Sequence, residues 1–349
     1  MATDSLGPVH PAQPTNPASG LASEGGPAIP PTPRGGRRRA AWIEARLAYL
    51  YILPAFVILA LVTFYPIGYQ IWMSFTDYTN RNLRGRAPEY VGLDNFRRIL
   101  TNDLGIANYD FYRLLAFNVT WTLVNLVFHV VLGIAIALLL NRNDIIGKKF
   151  FRAIYIFPWA MPPLVVAVVW RNMFDNQAGA INLLLGSLGL PNDISWLTST
   201  DPVIPGFGLL PLSFFAVLIT NVWLGWPFMM VVATGALQSI PGDLYEAAKL
   251  DGANRSQQLR DITLPLLSPA MVPAIMYGSI LTFNQFNVIY FITGGGPSGQ
   301  TEILVTQAYR LVQSQQLYGV AAAFSLIIFF VLLCITLAQN RFLRGLETT

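Results

Sequence analysis

Six apolar segments dominate the chain from residue 47 almost to its C-terminus, and polar stretches separate them. A helix that crosses a bilayer needs about 20 predominantly apolar residues. All of the segments approach or exceed that length, and the third is the shortest. The pattern predicts an all-α membrane protein with six transmembrane helices. They are Leu47–Trp72, Leu114–Leu140, Ala153–Trp170, Leu209–Leu237, Leu266–Ile292 and Val320–Ala338.

Proline interrupts the third of these segments. Pro158, Pro162 and Pro163 lie within it, and each lacks the main-chain N–H that a helix interior requires. The carbonyl groups that proline leaves unpaired are tolerated at membrane depth only where protein or water can satisfy them. We therefore expect a kinked or broken third span.

Composition agrees with this pattern and separates a tail from the membrane domain. Hydrophobic residues make up 54% of the chain and charged residues only 11%, against about 25% charged residues in a soluble domain. Residues 1–40 are rich in Pro, Gly, Ala and Ser, which cannot bury enough apolar surface to offset their ordering entropy. We expect a disordered tail over 1–40 and one transmembrane domain over 41–345.

Basic residues in the short loops predict the orientation. The loops after the second and fourth spans carry Lys and Arg, whereas the loop at about 174–208 carries none. The positive-inside rule therefore predicts a multi-pass protein of the cytoplasmic (inner) membrane with both termini in the cytoplasm. The first loop departs from the rule, because it would lie outside. It holds five arginines, Arg81, Arg84, Arg86, Arg97 and Arg98.

No predicted span contains Asp, Glu, Lys or Arg between its bounds, and His129 is the titratable group of interest there. We interpret His129 as a packed residue rather than a proton relay. Ion-driven carriers usually need ionisable groups at membrane depth, so the energy for uphill transport would have to enter from outside the spans. We also find no nucleotide-binding, metal-binding or catalytic motif, which predicts neither a cofactor nor an enzyme.

The loop between the fourth and fifth spans, about residues 242–265, has the pattern of a helical hairpin. Asp243 and Glu246 have capping-box spacing, which predicts a helix start at Asp243. Gly252 can end that helix in a left-handed conformation, and we expect Pro265 to stop a second helix over about 255–262. Such a hairpin is suited to the groove of another protein, although a simple connecting loop is the alternative.

Several motifs resemble one family, the permeases of binding-protein-dependent ABC sugar importers. Glu246-Ala247-Ala248, then Gly252 and Ile262-x-Leu264-Pro265, resemble its EAA loop. Other segments resemble the MalF-type subunits of the maltose/maltodextrin group, although the large external domain of the best-known subunit is missing. These segments are Tyr65-Pro66, Val91–Phe96, Asn221–Pro227 and Thr293–Pro297.

The resemblance implies the ABC type I importer permease fold and a set of partners. These are a second, MalG-like permease, two copies of an ABC ATPase, an extracytoplasmic sugar-binding protein and a sugar substrate. It also implies that the EAA loop docks on the ATPase, with Glu246 as polar contact, Ala247 and Ala248 on the docking face, and Gly252 at the bend.

Uncharged amides and aromatic side chains inside the spans predict a sugar site. Amides bond to hydroxyl groups, and flat aromatic faces contact the sugar ring. The resemblance carries span-four contacts onto Asn221, Leu224, Gly225 and Phe228, and Pro163 stands where a serine would touch sugar. We favour the binding role for Asn221 and a packing role for Asn287. The predicted substrate-binding residues are Trp159, Asn221, Leu224, Gly225, Phe228, Phe283, Asn284 and Gln285.

The sequence thus predicts a permease for a carbohydrate, with maltose, maltodextrin or a related α-glucoside as the expected substrate. Alternatives within the family are a trehalose-type disaccharide or glycerol 3-phosphate, and no span charge is available to hold a phosphate. A stand-alone secondary carrier is the alternative from another class.

Overall fold

The computed structural model describes residues 34–142, 144–200 and 210–347, with side chains described from residue 46 to 341 apart from the same gaps. Within these residues the protein is helical and contains no β-strand, because apolar runs in lipid must satisfy their main-chain groups internally. The helices are α1 Arg34–Leu59, α2 Tyr65–Met73, α3 Asn80–Leu83, α4 Asp94–Leu100, α5 Phe111–Asn141, α6 Lys148–Ala160, α7 Pro163–Met173, α8 Ala180–Ser187, α9 Leu212–Ser239, α10 Gly242–Leu250, α11 Arg255–Gln258, α12 Leu264–Phe283, α13 Phe286–Ile292, α14 Leu304–Gln313 and α15 Tyr318–Glu347.

The chain divides into two compact units, residues 1–65 and 66–349. In the first unit, α1 begins at Arg34, so the end of the expected tail is helical, while residues 1–33 lie outside the described residues. A single π-helical turn, Ala60–Phe64, joins α1 to α2. The apolar run from Arg46 to Met73 is long enough to cross a membrane, as the sequence predicted for the first span.

The centre of the second unit is the pair α5 and α9, which pack along most of their lengths. Small residues allow the two backbones to approach closely, as is common between helices in membranes. A Cβ atom on Gly133 of α5 would come within 2.5 Å of the Cβ atom of Met229 on α9. These two helices form the frame against which the shorter, interrupted helices pack.

The third span is broken between α6 and α7, which meet at 91°. Two apolar clusters show how the pair lies along α9. Val166 of α7 belongs to the cluster that contains Phe214, near the start of α9. Tyr155 of α6 packs on the cluster that contains Leu237, near the end of α9. Because α6 and α7 follow opposite halves of a continuous span, the pair is one broken span, and the described residues then contain six crossings.

Hydrogen bonds between loops place the first and fifth loops at the same end of the second unit. The loop after α2 meets the start of α15 where the Gly319 N–H donates to the Tyr78 carbonyl oxygen at 2.8 Å. Asn80 Nδ2 also donates to Gln316 Oε1 at 2.9 Å. The first and fifth loops therefore share one end, as six crossings require.

Candidate functional site

Two interruptions in the spans form the site, and the first of them separates α6 from α7. Met161 and Pro162 have extended main-chain conformations between the two helices. Pro163 then begins α7, where its missing N–H leaves no intrahelical hydrogen bond unmade. The broken third span predicted from its prolines is confirmed.

The second interruption lies within the predicted fifth span, Leu266–Ile292, which the structure confirms as part of an apolar helical run long enough to cross a membrane. The helix α12 ends at Phe283, and α13 begins at Phe286. The last carbonyl groups of a helix lack intrahelical partners. Here side chains of α5 donate hydrogen bonds to two of these carbonyl groups. Trp121 Nε1 donates to the Thr282 carbonyl oxygen at 3.0 Å, and Asn118 Nδ2 donates to that of Phe283 at 3.1 Å.

A cavity of about 370 Å³ lies where the two interruptions meet the middle of α5 and α9. This volume falls within the range of small-molecule sites, about 300–1,000 Å³. No Asp, Glu, Lys or Arg lines the cavity in the part of the chain that the structure describes. The lining is His129, Trp159, Met161, Pro163, Asn221, Leu224, Gly225, Phe228, Met229, Gly278, Ile280, Leu281, Thr282, Asn284 and Gln285.

Aromatic rings form a continuous series beside this cavity. The ring centroids of Trp159 and Phe228 lie 5.8 Å apart, and those of Phe228 and Tyr277 lie 5.9 Å apart. Trp159 is 52% exposed, and Tyr277 is exposed as well, so neither ring face is fully covered by the chain. A flat apolar face that is open to a cavity can stack on the C–H surface of a sugar ring.

The amides of the site form a chain of hydrogen bonds across three helical segments. Gln285 Nε2 donates to Asn221 Oδ1 at 3.1 Å, and Asn221 Nδ2 donates to Asn125 Oδ1 at 2.8 Å. Asn125 Nδ2 in turn donates to the Trp121 carbonyl oxygen at 2.8 Å. Asn221 is only 2% exposed and both ends of its amide are occupied. Asn221 therefore holds α5, α9 and the second interruption together, a packing role that the sequence analysis had not favoured for it.

Two amide oxygens remain available to a ligand. Asn284 Nδ2 donates to the Ile280 carbonyl oxygen at 3.2 Å, and Gln285 Nε2 is bonded to Asn221. Their acceptor atoms, Asn284 Oδ1 and Gln285 Oε1, make no hydrogen bond within the described residues, and both residues are half-buried. Hydroxyl groups of a sugar could donate to these two oxygens.

His129 packs as the sequence analysis interpreted it, and its position explains Gly225. His129 Nε2 donates to the Asn221 carbonyl oxygen at 3.0 Å. A Cβ atom on Gly225 would collide with the imidazole ring, and a ring held by this hydrogen bond has little room to move. Glycine at 225 therefore permits the contact between α5 and α9 beside the cavity.

The structure brings seven of the eight predicted substrate-binding residues to one cavity. Phe283 is the exception, since its side chain is buried in an apolar cluster with Leu304 and Phe324. The change of chain direction after α12 separates Phe283 from its neighbours Asn284 and Gln285. Tyr277 contacts the ring of Phe228 but does not itself line the cavity.

The predicted coupling hairpin forms, with two differences in its details. The helix α10 begins at Gly242, with Pro241 at the N-cap, so Asp243 lies in the first turn and does not cap it. Pro265 does not stop the second helix. A π-helical turn, Leu259–Thr263, precedes it, and the wider turn lets the chain continue into α12.

Tertiary contacts fix the shape of this hairpin while leaving its surface open. Gly252 has a φ of +82°, as a left-handed helix end requires. Tyr245 Oη lies 3.0 Å from Thr263 Oγ1, which ties α10 to the start of the fifth span. No residue of α10 is buried, and Leu250 is 90% exposed. Glu246 and Ala247 are exposed and Ala248 is half-buried.

Comparisons with known proteins agree with this architecture. A family model described as "Binding-protein-dependent transport system inner membrane component" matches residues 129–348. The chain belongs to this family. The predicted resemblance to the permeases of ABC sugar importers is confirmed, and the chain is a transport component rather than an enzyme.

Two relatives from Bacillus subtilis match most of the chain. The galactooligosaccharides transport system permease protein GanP is 35% identical over 303 residues, which cover 84% of this chain and 69% of the relative. The maltodextrin transport system permease protein MdxF is 35% identical over 304 residues, which cover 83% of this chain and 67% of the relative.

A solved structure confirms the predicted fold of an ABC type I importer permease. It is the crystal structure of a bacterial ABC transporter that imports the acidic polysaccharide alginate. One of its chains aligns with a TM-score of 0.70 at 22% identity, covering 88% of this chain and 99% of that one.

Proposed function

We propose that this permease belongs to an ABC importer for a neutral oligosaccharide, with maltose, maltodextrin or a related α-glucoside as substrate. The observation that carries the proposal is the uncharged cavity at the two interruptions. It offers two unoccupied amide oxygens, Asn284 Oδ1 and Gln285 Oε1, and the exposed ring of Trp159 lines the same cavity. Acceptor atoms next to stacking surfaces match the two recognisable features of a sugar.

The lining of the cavity also disfavours the alternative substrates. Glycerol 3-phosphate carries a charge that is costly to bury without a cationic partner, and no Lys or Arg lines the cavity in the described residues. A trehalose-type disaccharide has the same chemistry as maltose and stays an alternative. A secondary carrier would need ionisable groups at membrane depth, and His129 already donates to a main-chain oxygen.

The proposal includes four partners and an orientation. A second, MalG-like permease completes the pathway, two copies of an ABC ATPase drive it, and an extracytoplasmic binding protein delivers the sugar. The hairpin of α10, with Glu246, Ala247, Ala248 and Gly252, docks on the ATPase. Its exposed surface and fixed shape support that role, and the hairpin end is then cytoplasmic, with the first and fifth loops outside.

A reconstituted transporter tests this proposal. This permease is placed in proteoliposomes together with the second permease, the ATPase and the binding protein of the proposed importer, and uptake of maltose, maltotriose, trehalose and glycerol 3-phosphate is measured with and without ATP. We expect ATP-dependent uptake of at least one neutral sugar and no uptake of glycerol 3-phosphate. Uptake that needs neither ATP nor a binding protein would contradict the proposal.

A pair of hairpin variants in the same assay tests the docking role. Gly252→Pro cannot adopt the left-handed conformation at φ +82°, so we expect ATP hydrolysis to lose its coupling to uptake. Gly242→Ala is the matched control, because a Cβ atom there meets nothing within 4 Å. Equal sugar transport by both variants would contradict ATPase docking by this hairpin.

A further inference from the structure

The short helix α8, which follows the third span, has an inverted distribution of polar and apolar side chains. Its amide residue, Asn182, is 3% exposed, whereas Leu183 and Leu184 are 62% and 61% exposed. Leu188 and Leu190, just after the helix, are exposed as well. A helix on the surface of a soluble domain buries its apolar side chains and exposes its polar ones. We call these four exposed leucines the leucine patch, and contact with water gives no reason for it.

Hydrogen bonds made by Asn182 hold the leucine patch in a fixed orientation. Asn182 Nδ2 donates to the Asn176 and Ile194 carbonyl oxygens at 3.1 and 3.0 Å. Asn182 Oδ1 accepts from Trp196 Nε1 at 2.9 Å. The Trp196 ring in turn lies 5.5 Å, between ring centroids, from Phe174 at the end of α7. The leucines therefore face away from the protein because the opposite side of α8 is bonded to the rest of the loop.

Contacts of α7 place the start of this loop at the depth of a membrane boundary. The helix α9 has 28 residues, so it is about 42 Å long and extends about 6 Å beyond each side of a centred hydrocarbon core. Trp170 of α7 contacts Trp223, with ring centroids 6.0 Å apart, and Trp223 lies about 16 Å along α9 from Leu212. The helix α7 ends at Met173, at most about 5 Å beyond Trp170. The chain therefore leaves the third span about 11 Å below the start of α9, just inside the hydrocarbon boundary.

The chemistry of this loop favours lipid over another protein as the occupant of the leucine patch. No Asp, Glu, Lys or Arg occurs between Asp175 and Asp193, and a charged side chain is costly at membrane depth. The cores of protein interfaces are enriched in aromatic residues, Met and Arg, whereas the patch contains only leucine. Tryptophan is typical of the boundary between membrane and water, and Trp196 is bonded directly to α8.

We propose that α8 lies along the membrane boundary, with the leucine patch inserted among the acyl chains of the adjacent lipids. The patch then anchors the loop between the third and fourth spans, and in the proposed orientation it does so in the outer leaflet. Interfacial helices that carry basic residues are attracted to anionic lipids. The helix α8 has no basic residue, so burial of apolar surface alone drives the insertion, and neutral phosphatidylcholine is sufficient.

Fluorescence quenching tests the insertion in the whole transporter, assembled in phosphatidylcholine nanodiscs. Cys334 is replaced by alanine, and Leu184→Cys then carries a single NBD fluorophore. Asp193→Cys is the matched control, because Asp193 is exposed on the same loop and its charge belongs in water. We expect doxyl-labelled phosphatidylcholine to quench the probe at 184 about twofold more strongly than the probe at 193, and aqueous iodide to show the reverse order. Leu188→Cys should behave as Leu184→Cys does, which excludes a local disturbance at one position.

Each other outcome overturns the inference. Iodide quenching at 184 as strong as at 193 would show that the leucine patch faces water. Iodide quenching at 184 that disappears only when the sugar-binding protein is added would assign the patch to that protein. Protection of 184 from both quenchers would assign the patch to the second permease. None of these measurements depends on transport, so their failure leaves the proposed function intact.

Discussion

Two of the spans are interrupted at the same cavity, and the two interruptions have different causes. Between α6 and α7 the break is local, because Pro162 and Pro163 cannot continue the preceding helix. Between α12 and α13 no proline is present. There the broken end is stabilised from another span, where Asn118 and Trp121 bond the last carbonyl groups of α12.

The comparison shows two ways in which a membrane protein can tolerate irregular main chain within its spans. The first break follows from its own prolines, whose missing N–H groups need no partners, although carbonyl groups at the end of α6 are left without intrahelical ones. The second break leaves carbonyl groups that must be satisfied by side chains distant in sequence. We therefore expect the second interruption to be the more sensitive to substitution, and the following variants test that difference.

Asn118→Ala should have the largest effect on stability. Asn118 donates to the Phe283 carbonyl oxygen and accepts from the Leu304 N–H at 2.8 Å, so its loss leaves two buried main-chain groups unpaired. We expect a loss of about 2–4 kcal/mol, measured as thermal stability of the purified complex. Thr122→Val is the control, because the Thr122 hydroxyl bonds only within its own helix. Equal losses for both variants would refute the role of Asn118 at the break.

Gly225→Ala should have the second-largest effect on stability. The added side chain would push apart α5 and α9, the two helices against which both interruptions pack. The added methyl group would collide with the His129 ring, and overpacking of this kind costs about 1–3 kcal/mol. Gly235→Ala on the same helix is the control, since nothing lies within 4 Å of its Cβ position. Thermal unfolding of the two variants compares them, and a stable Gly225→Ala protein would mean that α5 and α9 can move apart at little cost.

Asn221→Ala separates packing from binding at the second interruption. The variant loses its bonds to Asn125 and Gln285, so we expect about 1–2 kcal/mol lower stability. Uptake per folded complex should remain near that of wild type, because Asn221 is nearly inaccessible. Stability and uptake are measured on one preparation. Normal stability with abolished uptake would return Asn221 to the role of a sugar ligand.

Pro162→Ala should have the smallest effect on stability. Met161 and Pro162 are already extended, so alanine can occupy the same conformation, and the main change is a more flexible unfolded chain. We expect a loss below about 1 kcal/mol in the same unfolding assay. A loss as large as that of Asn118→Ala would remove the distinction between the two breaks.

The spans themselves could be predicted because each rests on a long apolar run, and the first interruption could be predicted because proline acts locally. The second could not, since its stabilising partners Asn118 and Trp121 lie more than 150 residues earlier in the chain. Pro265 was misread for a related reason. A π-helical turn just before it accommodates a proline that would otherwise end a helix.

The candidate site was predicted by residue type more accurately than by role. Amides and aromatics in the spans pointed to one cavity, and seven of eight residues line it. Residue type could not reveal that Asn221 is bonded on both sides, or that the break after Phe283 directs this ring away from Asn284. Both facts depend on contacts between helices that no local pattern encodes.

The central claim is that the cavity at the two interruptions binds the sugar. The most direct test is the amount of sugar that the Gln285→Ala variant imports per ATP hydrolysed. The variant removes an accessible acceptor, Gln285 Oε1, together with the Gln285 Nε2 bond to Asn221, which stays bonded to Asn125. In proteoliposomes with saturating binding protein, sugar imported and ATP hydrolysed are measured together, with Gln339→Ala outside the cavity as control. We predict that sugar imported per ATP falls about tenfold, equivalent to about 1.4 kcal/mol, while stimulated hydrolysis persists. An unchanged ratio in a stably folded variant would contradict the account.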